Sequence, residues 1–308
     1  MPANLAKKLI EIFLKIKVWM LRKYYRFVSA RGWKGHIEDA PYSTLQIPTN
    51  AGSIPARMYA NSAGEDKPLI IYFHGGGWVI GDLETHHAYC QALSERSGCT
   101  VVAVDYRLAP EHPFPAAADD SLETTRWLAD NLHQLGPCNG TLVIAGDSAG
   151  ANLTICTCLE LDTDTRAKLA CEIVKYPAVD HYSTDYPSYS ERARCQALTR
   201  NLMVWFWDTY LGTRGAADPM ANRAMPQRAD NLAILPPTYL ITAEFDPLRD
   251  EGIAFAEKLR QSGVPLQYRH FDTAAHGFAC SEGPNENFNV FMDDLVAWLE
   301  HIGKARAG

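Results

Sequence analysis

The chain has 308 residues, 47% of them hydrophobic and 21% charged, a composition that suits one large α/β domain or two small ones with a sizeable core. Its formal net charge of −7 argues against nucleic acid as the main partner. Eight scattered cysteines without a C-x-x-C pair predict free thiols in a reducing compartment rather than a disulfide framework or a metal site, so we expect a cytoplasmic protein.

The first predicted element is a basic amphipathic helix from Leu5 to Val28. Residues 1–35 contain nine Lys or Arg and a single acid, Glu11. Apolar residues recur at three- and four-residue spacing along one face, namely Leu5, Leu9, Ile12, Phe13, Ile16, Trp19, Met20, Tyr24 and Phe27. This pattern predicts either a helix that folds over the body as part of a lid or one that lies on an anionic membrane. We favour the lid, and the charges that interrupt the segment argue against a membrane span.

Strands and helices then alternate along the chain. Two alternating stretches, 43–48 and 54–59, predict an antiparallel pair. Continuous apolar runs predict buried strands at 69–73, 100–104, 142–145, 171–176, 238–243 and 266–271. Helical patterns occupy 85–97, 116–134, 149–161, 249–262 and 286–302. This alternation predicts an α/β fold with a mainly parallel, doubly wound sheet that carries helices on both faces.

One long segment, residues 178–230, interrupts the alternation. It is far longer than one crossover helix needs, and it contains the aromatic cluster Trp205, Phe206, Trp207 and Tyr210. We interpret it as the second half of a lid whose first half is the N-terminal helix. The predicted organisation is a helical cap segment at 1–40, a core at 41–177 and 231–308, and a cap insertion at 178–230.

The strongest chemical motif is the G-x-S-x-G sequence from Gly146 to Gly150. It lies between the predicted strand 142–145 and the predicted helix 149–161, so the serine must occupy a tight, strained turn. Glycines on either side of that turn remove the Cβ atoms that would clash there. We predict that the turn raises the hydroxyl of Ser148 above the sheet as a nucleophile.

A serine nucleophile needs a histidine base. With a nucleophile on a turn of this kind, an acid and then a histidine follow along the chain, each after a strand. His270, His276 and His301 follow both Ser148 and the long insertion. His270 lies within a predicted strand and His301 within the last helix, whereas His276 occupies the loop after the last strand. We therefore predict His276 as the base.

The base in turn needs an acid that orients it. The sequence Glu244-Phe245-Asp246-Pro247 follows the predicted strand 238–243. Asp246 lies at the carboxyl end of this strand, where side chains can enter the crevice of an open sheet. Glu244 is the nearest alternative, because it lies two residues away on the same side of the strand. We predict Asp246 as the acid.

A glycine run after the first buried strand supplies candidate oxyanion donors, in addition to the predicted nucleophile, base and acid. His74-Gly75-Gly76-Gly77 lets the backbone approach a substrate closely and present N–H groups to an oxyanion. The sequence matches neither of the glycine-rich phosphate-binding motifs. We predict that the amides of Gly75, Gly76 and Ala149 form the oxyanion hole, and that His74 positions the loop.

Taken together, these motifs resemble the hormone-sensitive-lipase family of α/β-hydrolase carboxylesterases, and its microbial acetyl-esterase branch most of all. The motifs are His74–Trp78, Asp105–Ala117, Gly146–Gly150, Glu244–Leu248 and His276–Phe278. The resemblance implies an α/β-hydrolase fold with a helical cap and a serine esterase that acts on short acyl chains without a cofactor. It places the nucleophile at Ser148, the acid at Asp246 and the base at His276, with oxyanion donors at Gly75, Gly76 and Ala149. Ala151, where many members have glycine, and the basic N-terminal helix depart from the family pattern.

Several expectations accompany this hypothesis. Four aromatic residues are candidates for the lining of an acyl pocket, or alternatively for the core: Trp78, Trp205, Trp207 and Phe278. The expected partner is a small-molecule ester, with no metal and no nucleic acid, and a homodimer is left open. The alternatives are an amide or aryl-formamide hydrolase on the same residues, a membrane-associated lipase, and a ligand-binding receptor on an inactive hydrolase fold.

Overall fold

The computed structural model describes residues 3–36, 41–61, 64–195 and 197–307. Side chains are described for these residues except 3–11, 64 and 307. The predicted helix positions Leu5 and Leu9 therefore lie outside the described side chains, and residues 37–40 of the predicted cap segment lie outside the described chain.

The centre of the molecule is an eight-stranded sheet in the order β1-β2-β4-β3-β5-β6-β7-β8. Its strands are β1 (Ser43–Thr49), β2 (Gly52–Tyr59), β3 (Leu69–Phe73), β4 (Val101–Val104), β5 (Leu142–Asp147), β6 (Leu169–Lys175), β7 (Thr238–Phe245) and β8 (Leu266–Ala275). β1 and β2 are antiparallel to their neighbours, and all strands from β4 to β8 pair in parallel. The predicted antiparallel start and mainly parallel sheet are confirmed.

The helices form layers on both faces of this sheet. They are α1 (Ala3–Gly32), α2 (His87–Ser97), α3 (Ala116–Asp130), α4 (Ala149–Glu160), α5 (Thr163–Ala167), α6 (Pro187–Glu191), α7 (Arg200–Leu211), α8 (Arg249–Gln261) and α9 (Glu286–Ala307). Every residue of β3, β5 and β6 is buried, because a parallel strand with helices on both sides has no solvent-facing side. Alternate residues of β3 enter two separate cores: Ile71 belongs to the core that includes residues of α3, α4 and α8, and Tyr72 to the core that includes residues of α2 and α9.

Helix α1 is present as predicted, but its orientation is not the predicted one. The apolar residues expected to face the body are exposed instead, namely Ile12, Phe13, Ile16, Trp19, Met20, Tyr24 and Phe27. The opposite side of the helix contacts the body through Leu14, Val18, Leu21 and Tyr25. No helix among the described residues combines the length and hydropathy that crossing a bilayer requires.

Two arginines explain this orientation of α1. Arg22 donates to the carbonyls of Val79 and Ala109 and pairs with Glu111 at 2.8 Å, and Arg26 pairs with Asp82 at 2.6 Å. A helix that turned its long apolar stripe inward would carry both guanidinium groups away from these partners. The helix therefore packs on the body along its shorter apolar side.

The segment between β6 and β7 contains helical elements and no strand in its described residues, 178–195 and 197–230. It includes α6 and α7 and lies against α4. The amide of Asn152 on α4 donates to the carbonyls of Ala178 and Ala224, at 2.7 and 2.8 Å, and so ties both ends of the segment to the sheet layer.

Candidate active site

Ser148 occupies the turn between β5 and α4, with φ 55° and ψ −119°. A side chain is strained in this left-handed region, and neighbouring contacts hold it there. A Cβ atom on Gly146 would lie 2.3 Å from the carbonyl oxygen of Gly150, and one on Gly150 would lie 2.0 Å from that of Phe73. The two glycines are therefore required by close backbone contacts, as the motif predicted.

Ser148, His276 and Asp246 form a hydrogen-bonded row across the carboxyl ends of β5, β8 and β7. The Oγ of Ser148 lies 3.0 Å from Nε2 of His276, and Nδ1 of His276 lies 2.7 Å from Oδ2 of Asp246. With Asp246 accepting from Nδ1–H, Nε2 is left as the acceptor for the serine hydroxyl. The structure thus brings together three residues that are separated by up to 128 positions.

The local backbone fixes each member of this row. The N–H of Ser148 donates to the carbonyl of Lys175 at 2.9 Å. Asp246 is fully buried, and its second oxygen accepts from the N–H of Leu248 at 2.8 Å. The ring of His276 lies edge-on against Tyr176, with ring centroids 4.9 Å apart.

Glu244, the alternative acid, points away from the row. It lies 2.8 Å from Arg249 and 3.1 Å from Nε2 of His270, and it also pairs with Arg192. Although partial burial raises the pKa of Glu244, its hydrogen bond to Arg192 and the charge of Arg249 outweigh that effect and lower it. The structure therefore assigns Glu244 to a surface ion cluster.

The glycine loop differs from the prediction at one position. The N–H of Gly75 donates to Oδ1 of Asp147 at 3.0 Å, so it is not available to an oxyanion, and the prediction for Gly75 is wrong. Gly76 and Gly77 instead line the cavity beside Ser148. Within the described residues, the amides of Gly76, Gly77 and Ala149 have no acceptor.

Asp147 is a buried carboxylate next to Ser148 that sequence reasoning missed. Besides Gly75, it accepts a hydrogen bond from the hydroxyl of Tyr72, and it lies 3.3 Å from Nε2 of His86. Although burial raises the pKa of Asp147, its interactions with His86, Lys175 and Tyr72 outweigh burial and hold that pKa well below the usual range. A charged Asp147 therefore anchors the glycine loop to the serine turn.

Lys175, at the end of β6, is a fully buried cation in the same cluster. Its Nζ lies 3.0 Å from the hydroxyl of Tyr72, 2.9 Å from Sγ of Cys280 and 3.5 Å from the ring centroid of Tyr89. Burial and the nearby Asp147 raise the pKa of Cys280 to about 11. The ammonium thus balances the buried carboxylate through the bridging tyrosine.

This cluster also bears on metal binding. His86, Asp147 and Cys280 bring potential ligand atoms within 4.8 Å of one another. The ammonium of Lys175 already supplies positive charge to this cluster.

One sequence signal could have revealed the arrangement. A lysine within an apolar run that is predicted to be buried on both faces requires a buried anionic or polar partner.

His74 has the positioning role that was predicted. Its Nδ1 lies 2.8 Å from the carbonyl of Gly75, and its ring stacks on Tyr106 at 4.3 Å. Burial, with His86 beside it, lowers the pKa of His74 to about 4. The neutral ring is therefore a fixed donor to the glycine loop.

A cavity of about 390 Å³ opens beside Ser148 and His276. Its apolar walls come from α1 (Leu21, Tyr24, Tyr25 and Val28) and from the 178–230 segment (Leu198, Leu202 and Phe206). None of the four aromatic residues predicted for the pocket is among its lining residues.

Those four aromatic residues belong to other clusters. Trp78 stacks on Tyr210 at 4.3 Å and contacts Trp207, and both tryptophans belong to the buried core. Trp205 lies under the Nζ of Lys17 at 3.8 Å, and Phe278 packs in the core on β8. The core alternative therefore applies to Trp78, Trp207 and Phe278, and one turn of α7 directs Trp205 and Trp207 to different surroundings.

The fold and this geometry can be compared with known proteins. A family model described as the alpha/beta hydrolase fold matches residues 70–280, which include Ser148, Asp246 and His276. The esterase LipI of Mycobacterium tuberculosis is 38% identical over 237 residues, which are 76% of this chain and 73% of that protein. An arylesterase of Saccharolobus solfataricus is 34% identical over 252 residues, 82% of this chain and 81% of that protein.

The similarity extends to solved structures. A hyperthermophilic esterase from the archaeon Pyrobaculum calidifontis matches with a TM-score of 0.86 and 36% identity. The match covers 92% of this chain and 91% of that one.

Proposed function

The chain belongs to the hormone-sensitive-lipase family of α/β-hydrolases and is a carboxylic ester hydrolase, and we propose that Ser148, His276 and Asp246 are its catalytic triad. The observation that carries this proposal is the hydrogen-bonded row of the three side chains, with contacts of 3.0 and 2.7 Å. Spacing of this kind allows the imidazole to take the serine proton as the hydroxyl attacks a carbonyl.

The proposed reaction has two halves. His276 takes the Ser148 proton during attack on the ester and returns it to the leaving alcohol, and an acyl ester remains on Ser148. A water molecule then gives a proton to the same imidazole as its oxygen attacks the acyl carbonyl. The bond to Oγ breaks, the imidazolium returns the proton to Ser148, and the acid leaves. Asp246 holds the imidazole tautomer throughout and stabilises the imidazolium that forms in each half.

We propose that the oxyanion donors are the amides of Gly76, Gly77 and Ala149. Gly76 and Gly77 border the cavity next to Ser148, and Ala149 begins α4, where N–H groups have no partner within the helix. Asp147 keeps this loop in place by accepting from Gly75. Donors of this kind typically contribute about 3 kcal/mol each to transition-state stabilisation.

The cavity supports a short acyl group as the preferred substrate. Its volume of about 390 Å³ lies near the lower end of small-molecule sites, which span roughly 300–1,000 Å³. Because α1 and the 178–230 segment form its apolar walls, we propose that they act as the cap over a core of residues 41–177 and 231–308. We also propose a cytoplasmic location, supported by eight free thiols.

A labelling experiment with a fluorophosphonate and the S148A variant tests the triad. The wild-type chain is expected to form one covalent adduct and to lose hydrolysis of p-nitrophenyl butyrate, whereas S148A should form no adduct and lose at least about 10⁴-fold in kcat. Ser281 also lines the cavity, so S281A is the matched control and should keep both properties. Labelling or turnover that survives in S148A would reject Ser148 as the nucleophile.

A further inference from the structure

The outward face of α1 is a continuous apolar stripe that the fold does not use. Seven large side chains are exposed along it, from 49% for Ile16 to 70% for Phe13. Trp19 and Phe27 are each 62% exposed, although helices of soluble domains normally turn polar residues toward water. We call residues 12, 13, 16, 19, 20, 24 and 27 the outward stripe.

The surroundings of the outward stripe are strongly basic. Residues 12–36 contain seven Lys or Arg and no acid. Two of the seven, Arg22 and Arg26, are directed to the body and pair with Glu111 and Asp82. Lys23 and Arg31 lie on the same side of the helix as the stripe by its periodicity, and among the described side chains neither forms an ion pair.

The outward stripe also borders the mouth of the active-site cavity. Tyr24 is 65% exposed within the stripe and lines the cavity at the same time. Tyr25 and Val28 follow it along the cavity wall. A surface that covered the stripe would therefore lie next to the entrance through which an ester reaches Ser148.

We propose that the outward stripe docks on an anionic lipid surface, with α1 lying in the plane of the interface. Trp and Phe on the buried side and Lys or Arg around them are the side chains that such helices use. Anionic headgroups would neutralise Lys23 and Arg31, which form no ion pair among the described side chains. The lipid proposal stands on α1 alone, but one consequence rests on the proposed esterase function: docking would bring the cavity to amphiphilic esters held in the surface.

A second copy of this chain fits the outward stripe less well. In a two-fold dimer the same patch would face itself, so that two helices would be brought together, each with five Lys or Arg over residues 12–36 besides the paired Arg22 and Arg26, and no acid. Like charges at that distance oppose association. The combination of an apolar stripe and uncompensated positive charge thus favours the lipid surface.

Co-sedimentation of the full chain with vesicles tests the proposal. We expect binding to an equal mixture of phosphatidylcholine and phosphatidylglycerol, and much weaker binding to phosphatidylcholine alone. The W19S/F27S variant should lower binding by about tenfold or more, because it removes two exposed apolar groups. The K23E/R31E variant should lower it by at least about thirtyfold on the anionic vesicles only, because two cations are lost and two anions are added.

A matched control keeps this test specific. Met220 and Ile253 are exposed apolar residues outside α1, so M220S/I253S should bind vesicles like the wild type. Hydrolysis of p-nitrophenyl butyrate without vesicles should be the same in all variants, which separates this proposal from the esterase function. Equal sedimentation of the wild type and W19S/F27S, or none with either vesicle, overturns it. Light scattering that shows a dimer lost in W19S/F27S would assign the stripe to a second copy instead.

Discussion

The proposed triad and helix α1 border the same cavity but are held in place by different means. Ser148, Asp246 and His276 follow strands whose hydrogen-bonded register fixes them, and all three are nearly or fully buried. α1 lines the cavity from outside the sheet and pairs with no strand in the described part of the chain. Side chains such as Val18, Arg22 and Arg26 hold it there, and one whole face is exposed to solvent.

This difference suggests that the strand ends serve the reaction itself, whereas α1 serves the entry of substrate. The buried Asp147 and Lys175 hold the serine turn and the glycine loop in place through hydrogen bonds. Acid–base chemistry requires such fixed positions of the reacting groups. A helix attached through side chains can shift at a modest cost in free energy, which suits the wall of a cavity through which substrate enters. Changes at the carboxyl ends of the strands should therefore alter turnover, whereas changes to the contacts that hold α1 on the body should alter substrate binding.

Among the substitutions other than S148A, the largest expected effect is at Asp246. Asp246→Asn should lower kcat by up to about 10⁴-fold, because an asparagine no longer fixes the imidazole tautomer. Glu244→Gln is the matched control and should change kcat by less than about threefold, because Glu244 belongs to the surface ion cluster. Steady-state kinetics with p-nitrophenyl butyrate measure both. A severe loss in E244Q with a mild one in D246N would exchange the roles of the two acids.

A smaller effect is expected where α1 joins the body. Arg22→Ala removes hydrogen bonds to Val79 and Ala109 and the ion pair with Glu111, so α1 should open more often. We expect KM to rise about threefold to tenfold with kcat changed by less than about twofold, since uniform binding is lost and the triad is untouched.

Hydrogen exchange provides an independent check of the Arg22 substitution. The backbone amides of α1 should exchange faster in R22A, while those of β5 stay protected. Lys15 is an exposed cation on the same helix, so K15A serves as the control and should match the wild type. A fall in kcat with unchanged KM would mean that α1 contributes to the chemical step and not only to substrate binding.

The smallest effect on activity is expected at Glu172, which is buried in β6 with an oxygen accepting from the hydroxyl of Thr238 at 2.9 Å. Burial raises the pKa of Glu172 to about 7, against 4.5 in the unfolded chain. Between those values the native state keeps a proton that the unfolded state releases, so the free energy of unfolding falls as pH rises from 4.5 to 7.

Glu172→Gln should remove its share of that slope without changing kcat. Relative to the wild type, the variant should gain on the order of 3 kcal/mol between pH 5 and pH 8 in urea unfolding. Glu244→Gln should leave the slope unchanged, because the pKa of Glu244 is lowered and this carboxylate is ionised throughout that range. An unaltered slope in E172Q would mean that Glu172 is ionised in the native state.

The sequence by itself predicted the eight strands, six of the helices (α1, α2, α3, α4, α8 and α9) and the members of the proposed triad. Strand runs such as Leu69–Phe73 are buried on both faces, which leaves a clear local signal. The serine turn and the residues after β7 and β8 occupy positions that parallel topology places at one edge. Spacing along the chain was therefore enough to predict that Ser148, Asp246 and His276 lie together.

Tertiary structure alone decided the rest. Helical periodicity gives two apolar sides of α1 but not which one faces inward, and the long-range partners of Arg22 and Arg26 settled that choice. The partner of the Gly75 amide depended on Asp147, 72 residues away. Local patterns report what a segment can bury, whereas contacts between distant segments determine what it does bury.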